Sequence, residues 1–485
     1  MATVQSSIPE LVLMDAWSLS QAIASKQVSC RDVMALFLEH IERFNPKVNA
    51  IVSLRPRGAL LAEAEERDRE LARGQCRGWM HGLPHAVKDL APTRGLRTTW
   101  GSPLLDAVPP EDAIFIEHIR SSGAIIIGKT NVSEFGMGSQ SYNPIFGTTL
   151  NPWDPSKTAG GSSGGAAAAL ALRMLPVADG SDMMGSLRNP AAYNNVLSLR
   201  PSYGCVPSAD IELFFGQLMV AGPMARSVTD LALLLAVMAG PDPRMPLSIE
   251  ADPTAFTRGL ERNFHGTRIA WLGDLGGHLA MEPGVMELCS AAPQKLEGIG
   301  CSVEEPELGF PPERMWEAWI TLRHWLIAGN LGAFYKDPAK RALMKPEAVW
   351  EVEGGLKLSG QDVYGASVRR SDLYRAVLKL FDSFEYLALP SAQVFPFDAS
   401  LHWPETINGV AMDTYHRWME VVILASLLGF PVVNVPVGFN SEGLPMGMQI
   451  IGKHHADFAV LQLAYAYEQA TSWLRDRLPP LLSRA

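Results

Sequence analysis

The stretch Gly160-Gly161-Ser162-Ser163-Gly164-Gly165 decides the reading of this 485-residue chain, together with Lys88 in Ala86-Val87-Lys88-Asp89 and Ser186 in Gly185-Ser186-Leu187-Arg188. Serine is a weak nucleophile until a base takes its proton. A lysine serves as that base only when burial lowers its pKa far below the ordinary value of about 10.4. The neighbours Ala86, Val87 and Leu90 are apolar, and a strand here would carry Lys88 among packed side chains. The pattern therefore points to a serine nucleophile, a second serine that bridges, and a neutral lysine, with no histidine required.

Other readings of the same residues are weaker. Gly161-Ser162-Ser163-Gly164-Gly165 formally satisfies G-x-S-x-G with Ser163 at its centre, but that motif needs a strand before it. Asn151-Pro152-Trp153-Asp154-Pro155-Ser156-Lys157-Thr158 precedes it, a polar loop with two prolines. Ser163 is then a hydrogen-bond partner near Lys88. A glycine-rich loop before a helix also suggests phosphate binding, yet no Gly-Lys-Ser/Thr follows. Asp182 with Arg188 reads as a structural ion pair that braces the loop around Ser186.

Several motifs in the same order make the chain resemble the amidase signature family over nearly its whole length. Gly82-Leu83-Pro84-His85-Ala86-Val87-Lys88-Asp89 resembles the family's lysine motif, and Gly128-Lys129-Thr130-Asn131 with Glu134-Phe135 its next block. Asp182 to Arg188 resembles the nucleophile loop, and Gly443 to Gly452 the closing strand. The resemblance implies an amidase with Ser186 as nucleophile, Ser162 as the bridging serine held by a cis peptide, and Lys88 as base. It also implies an oxyanion hole from the backbone N–H groups of Met183, Met184, Gly185 and Ser186, and Phe135, Met137 and Tyr142 as substrate-binding residues. The implied substrate is a small, fairly apolar carboxamide or aryl amide, with no cofactor and no metal, and the resemblance alone suggests a homodimer. Two alternatives stay open: the amidase component of an amidotransferase assembly, and a catalytically weak relative that binds its ligand.

The chain departs from the family pattern at two places. Met183-Met184-Gly185-Ser186 stands where relatives usually carry Thr-Gly-Gly-Ser. A positive φ at Met184 would be strained; otherwise its adaptable thioether shapes the acyl pocket, which is the reading favoured. Asn194-Asn195 replaces a usual Cys-Gly and is expected to alter packing behind the loop only.

Composition agrees with a large enzyme core. Apolar residues make up 47% and charged ones 19%, and Lys plus Arg (41) against Asp plus Glu (51) gives −10, without a basic block. That offers nothing to nucleic acid or to an anionic membrane. Cys30, Cys76, Cys205, Cys289 and Cys301 show no Cys-x-x-Cys spacing, and no histidines stand in a zinc pattern. The longest apolar run, Val421 to Val433, contains Pro431 and is too short to span a bilayer. No secretory leader pattern opens the chain. These features predict a cytoplasmic protein with free thiols.

Helical and strand patterns alternate, predicting an α/β fold: a single large domain with a central mixed β-sheet flanked by helices on both faces, spanning 1–485. Its parts are an N-terminal helical segment (1–75), a motif-bearing catalytic half (76–245), a variable substrate-pocket region (246–375), and C-terminal strands with a closing helix (376–485). Ser29 is expected to cap a helix with Val33, Leu36, Phe37, Ile41 and Phe44 on one face, ended by Asn45-Pro46. Further expected elements are helices over Glu111–Ser121, Ala166–Met174 and Val285–Leu296. Strands are expected over Ala124–Gly128, Leu175–Ala178, Arg268–Leu272, from Cys301, and over Tyr386–Leu389, Val432–Val435 and Met446–Ile451. Trp316, Trp319 and Trp325 are read first as core packing on one helix.

Overall fold

A computed structural model describes residues 8–208, 212–250 and 252–483. Two sheets organise them. In the smaller, β1 (Ile51–Val52) pairs antiparallel and β2 (Pro84–Lys88) pairs parallel with β3 (Ile125–Thr130) between them. The larger uses β4 (Ala178–Asp182), β5 (Leu197–Arg200), β6 (Val220–Ala225), β7 (Arg268–Trp271), β8 (Ser302–Glu304) and β9 (Tyr386–Pro390). A short hairpin follows, β10 (Thr406–Ile407) with β11 (Val410–Ala411), and then β12 (Val432–Phe439) and β13 (Pro445–Ile451) complete the large sheet. Its order among the described residues is β4-β6-β5-β12-β13-β9-β7-β8. The sheet is mixed: β7 runs parallel to β8 and β9, whereas the pairs from β4 to β9 are antiparallel.

Helices flank this sheet. Val228–Met238 and Asp457–Ala470 pack against one another and on it, and Arg188–Asn194 and Val285–Cys289 pack against β12 and β13. One apolar core runs from Ala16 to Tyr467 and joins the sheet to its helices. A second gathers the N-terminal helices, β2, β3 and the helix Gly164–Ala171. Trp316 and Trp319, on the long helix Pro312–Lys336, are core residues, while Trp325 is half-buried with its ring edge toward Phe215 at 6.2 Å. Among the described residues no helix is long and apolar enough to cross a membrane.

Local rules account for most element ends. The Asp32 N–H donates to Ser29 Oγ at 3.0 Å and opens the helix Cys30–Phe44. The helix expected over Val285–Leu296 is divided into Val285–Cys289 and Ala291–Gly298. Pro293 lacks an N–H and its ring would meet the carbonyl four residues back, at Cys289, which is where the first helix stops. The strand expected over Leu175–Ala178 lies instead at Ala178–Asp182. Pairing with β6 draws Asp179-Gly180-Ser181-Asp182 into a strand against its propensity.

The helix Gly164–Ala171 has every residue buried, as expected of a helix apolar all round. It sits so close to β3 that a Cβ on Gly165 would meet Asn131 N at 2.4 Å and Ala50 O at 2.5 Å. Helix propensity alone favours alanine at Gly165 by about 1 kcal/mol. The clash is with backbone, which cannot rotate away, so it wins. Gly165→Ala should lower stability by about 2 kcal/mol net, to be checked by denaturant unfolding; an unchanged midpoint would contradict this packing.

Candidate active site

Three chain segments meet at the C-terminal end of β2. Lys88 is the last residue of that strand and is 1% exposed. Its Nζ lies 2.9 Å from Ser162 Oγ, 2.7 Å from Ser163 Oγ, 3.0 Å from Ser181 Oγ and 3.1 Å from Ser181 O. No carboxylate is within hydrogen-bond reach of this amine among the described residues. Burial therefore dominates and lowers the Lys88 pKa to about 7, although Asp182 and Asp179 pull it upward.

Ser162 follows a cis peptide bond at Gly161-Ser162. A serine-rich turn holds this loop: Ser139 Oγ donates to Gly161 O at 2.7 Å, and Gly164 N–H donates to Ser141 Oγ at 3.1 Å. Ser186 is 7% exposed, and its carbonyl accepts the Ser163 N–H at 3.3 Å, which docks the two loops on each other. Lys88, Ser162 and Ser163 thus share direct contacts, with Ser186 on the adjoining loop.

The loop that carries Ser186 is built on one carboxylate. Asp182 Oδ1 accepts the Gly185 N–H at 2.9 Å and Oδ2 the Leu187 N–H at 3.1 Å. Arg188 grips the same carboxylate with two donors, Nε at 3.0 Å and Nη2 at 2.9 Å. Arg200 approaches from β5 at 3.3 Å. These donors hold the Asp182 carboxyl well below the usual carboxylate range in spite of complete burial. Arg188 reaches on to Val422 O, Gln449 Oε1 and Ser426 Oγ at 2.8, 2.6 and 2.7 Å, tying the loop to β13 and the segment before β12.

The four expected oxyanion amides differ. Gly185 takes φ 80°, a conformation suited to glycine, and its N–H is committed to Asp182. Met184 is not among the residues with positive φ, so the methionine in place of glycine meets no backbone strain, and its side chain packs into the core. Asn195 does take the left-handed conformation, φ 54°, which asparagine tolerates, while its Nδ2 donates to Trp473 O at 2.7 Å.

Phe135 and Met137 belong to one apolar cluster with Ile327, Leu331, Met344 and Val352, and Met183 packs against it. The turn between Phe135 and Met137 abuts Ser162: a Cβ on Gly136 would lie 3.5 Å from Ser162 Oγ. Tyr142 is not part of that cluster but meets it at Met137. It stacks on His402 at 4.5 Å, lies under Lys345 Nζ at 4.9 Å, and shares a narrow cleft with Met137, Glu347 and Trp418.

Some of the surroundings escaped the sequence reading. Ser181 contributes two of the oxygens around Lys88; the only signal was its place two strand positions after Asp179 and next to Asp182. Arg323 lies beneath Met183, with Nη1 at 3.3 Å from the sulfur, Nε at 2.5 Å from Glu351 Oε1 and Nη2 at 2.6 Å from Tyr415 Oη. Nothing in the spacing of these residues announces that they meet.

The Amidase family model matches residues 32–461. An acylamidase of Rhodococcus erythropolis is 32% identical over 471 residues, covering 96% of this chain and 97% of that protein. A glutamyl-tRNA(Gln) amidotransferase subunit of Alkaliphilus metalliredigens is also 32% identical, over 489 residues that cover 95% of this chain and 96% of that protein. The crystal structure of a bacterial aryl acylamidase of the amidase signature enzymes superposes with a TM-score of 0.91 at 27% identity, covering 98% of this chain and 100% of that one. A family match across most of the chain, on a fold that places a buried lysine against serine hydroxyls, makes this an amide-hydrolysing enzyme that belongs to the amidase signature family.

Proposed function

We propose that the protein hydrolyses the C–N bond of a small, fairly apolar carboxamide or aryl amide through an acyl-enzyme on Ser186. The observation that carries this reading is the Lys88 amine, 2.9 Å from Ser162 Oγ and lowered to about 7 without a carboxylate partner. A neutral amine has two N–H donors and one lone pair. Ser163 Oγ and the Ser181 carbonyl suit the donors, which leaves the lone pair for the Ser162 hydroxyl.

In the proposed cycle Ser186 attacks the amide carbonyl as its proton passes to Ser162 and the Ser162 proton passes to Lys88. The C–N bond then breaks, and the same relay run backwards delivers a proton to the departing amine. Water repeats the sequence on the ester, releasing the acid and regenerating Ser186. The N–H groups of Met183, Met184 and Ser186 are the proposed oxyanion donors, each contributing about 3 kcal/mol where aligned, and Gly185 supplies the turn. Phe135, Met137 and the thioether of Met183 line the proposed substrate side, with Met184 packed behind in the core. Tyr142 closes it, and the region 246–375 provides the outer wall through Ile327, Leu331 and Met344. No cofactor is invoked. The similarity to aryl acylamidase and acylamidase relatives supports an aryl amide substrate. Five free thiols, four of them buried, support a cytoplasmic location.

The equal identity to an amidotransferase component supports a second reading, as one member of an assembly. The −10 net charge without a basic block favours a self-sufficient enzyme that handles no nucleic acid, and the family resemblance suggests a homodimer. Purified protein that turns over anilides without partner proteins is the expected outcome; turnover only after addition of partners favours the assembly.

Ser186→Ala, Ser162→Ala and Lys88→Ala should each reduce hydrolysis of a chromogenic anilide by at least about 10³-fold, and Ser163→Ala by about tenfold, the worth of one hydrogen bond to the amine. A fully active Ser186→Ala enzyme would sink the assignment. A protonated amine accepts nothing, so kcat/KM should rise with pH through about 7 as Lys88 deprotonates; a profile level down to pH 5 would remove Lys88 as the base.

The same burial makes a stability prediction. The folded pKa lies below the unfolded value of 10.5, so the unfolded chain binds more protons between about 7 and 10.5, and stability contributed at this site rises with pH across that window. The inactive Lys88→Met protein should therefore melt higher relative to wild type at pH 6 than at pH 9.5, as measured by calorimetry.

A further inference from the structure

Behind the amine, β2 and β4 share a buried pair that the proposed cycle does not use. His85 Nε2 lies 2.9 Å from Asp179 Oδ1, and neither side chain has any solvent exposure. The Lys88 backbone N–H donates to the same carboxylate, 3.2 Å from Oδ2. The other ring nitrogen, His85 Nδ1, is buried without a hydrogen-bond partner among the described residues. A proton there would be an unsatisfied buried donor, so the ring donates from Nε2 to the Asp179 carboxylate.

We propose that His85 and Asp179 are positioning residues for Lys88: His85 holds the Asp179 carboxylate in place, and Asp179 anchors the end of β2 and sets the pH at which the amine gives up its proton. This rests on the reading of Lys88 as the base. The charged groups facing the amine are few. Its own strand supplies His85, and β4 supplies Asp179 and Asp182. Arg188 and, from β5, Arg200 compensate Asp182. On β3, Lys129 turns its Nζ to Ala91 O at 2.6 Å and lies 4.0 Å from Asp89. The helix Gly164–Ala171 carries no charged side chain. Asp179 has no guanidinium partner among the described residues, and its charge acts on the amine second to that of Asp182.

Burial alone would push the amine so low that it became a feeble base, and a base is most effective with its pKa near the working pH. Both carboxylates work against that burial. The charge of Asp179 is therefore expected to keep the amine basic while leaving it neutral enough to act. His85 acts through Asp179: without its N–H, the buried carboxylate loses the donor that fixes it beside β2, and its field at the amine weakens.

The test is the pH dependence of Ser186 acylation by a serine-reactive phosphonate, read beside anilide turnover. The acidic limb should move down by about one pH unit in Asp179→Asn, and in the same direction in His85→Leu, which removes the donor. Should either single variant fail to fold, the double variant His85→Leu, Asp179→Leu replaces the pair with apolar packing and must show the same shift. A folded variant with an unmoved limb, even one with a lowered melting temperature, overturns the proposal and leaves Lys88 and Ser186 in place. If Lys88→Ala is acylated as fast as wild type, the underlying reading falls, and this proposal with it.

Discussion

A lysine ammonium buried among hydroxyl and carbonyl oxygens, with no carboxylate close enough to neutralise it, is the constraint around which the site is built. An isolated charge in such a place is costly, and the protein's response is to release the proton. The Lys88 amine is brought down to about 7 by burial. Lys129, one strand away, shows the same physics at a lesser degree: Asp89 at 4.0 Å offsets part of the burial, and its pKa falls only to about 8. In both lysines burial is the larger effect, and the nearby carboxylates offset only part of it.

A neutral lysine is useful only where loops of different origin are held against it. The buried Asp182 does this for the loop that carries Ser186. It gathers two backbone N–H groups and two guanidiniums, and Arg188 extends the network to Gln449 on β13 and to Ser426. The small-residue helix behind the glycine-serine loop does the equivalent for Ser162, because only glycine at 165 lets that helix approach β3 so closely. Rigid support on both sides suits chemistry that depends on positioned donors.

Much of the fold was legible because it follows local rules. Ser29 and Asp32 announce a capped helix, Pro293 accounts for a helix break that the apolar periodicity concealed, and the alternation of strand and helix patterns points to a mixed sheet. The misjudged strand near Leu175 was not legible: Asp179-Gly180-Ser181-Asp182 has poor strand propensity, and only pairing with β6 makes it one. At the site, Lys88, Ser162, Ser163 and Ser186 stood out by motif and order. Ser181, the His85–Asp179 pair and the Arg323–Glu351–Tyr415 group did not.

The sequence by itself determined the family motifs, the identity of the candidate triad, and the bracing pair Asp182 and Arg188, since each depends on residue type at short spacing. The tertiary structure alone decided how far the amine is desolvated, that φ at Gly185 rather than Met184 is positive, that the Gly185 amide is already taken, and which distant carboxylates act on Lys88. Those properties are sums of burial and electrostatic field over segments as far apart as residues 88, 162, 181 and 449, and no local pattern encodes a sum over groups that only the folded chain brings together.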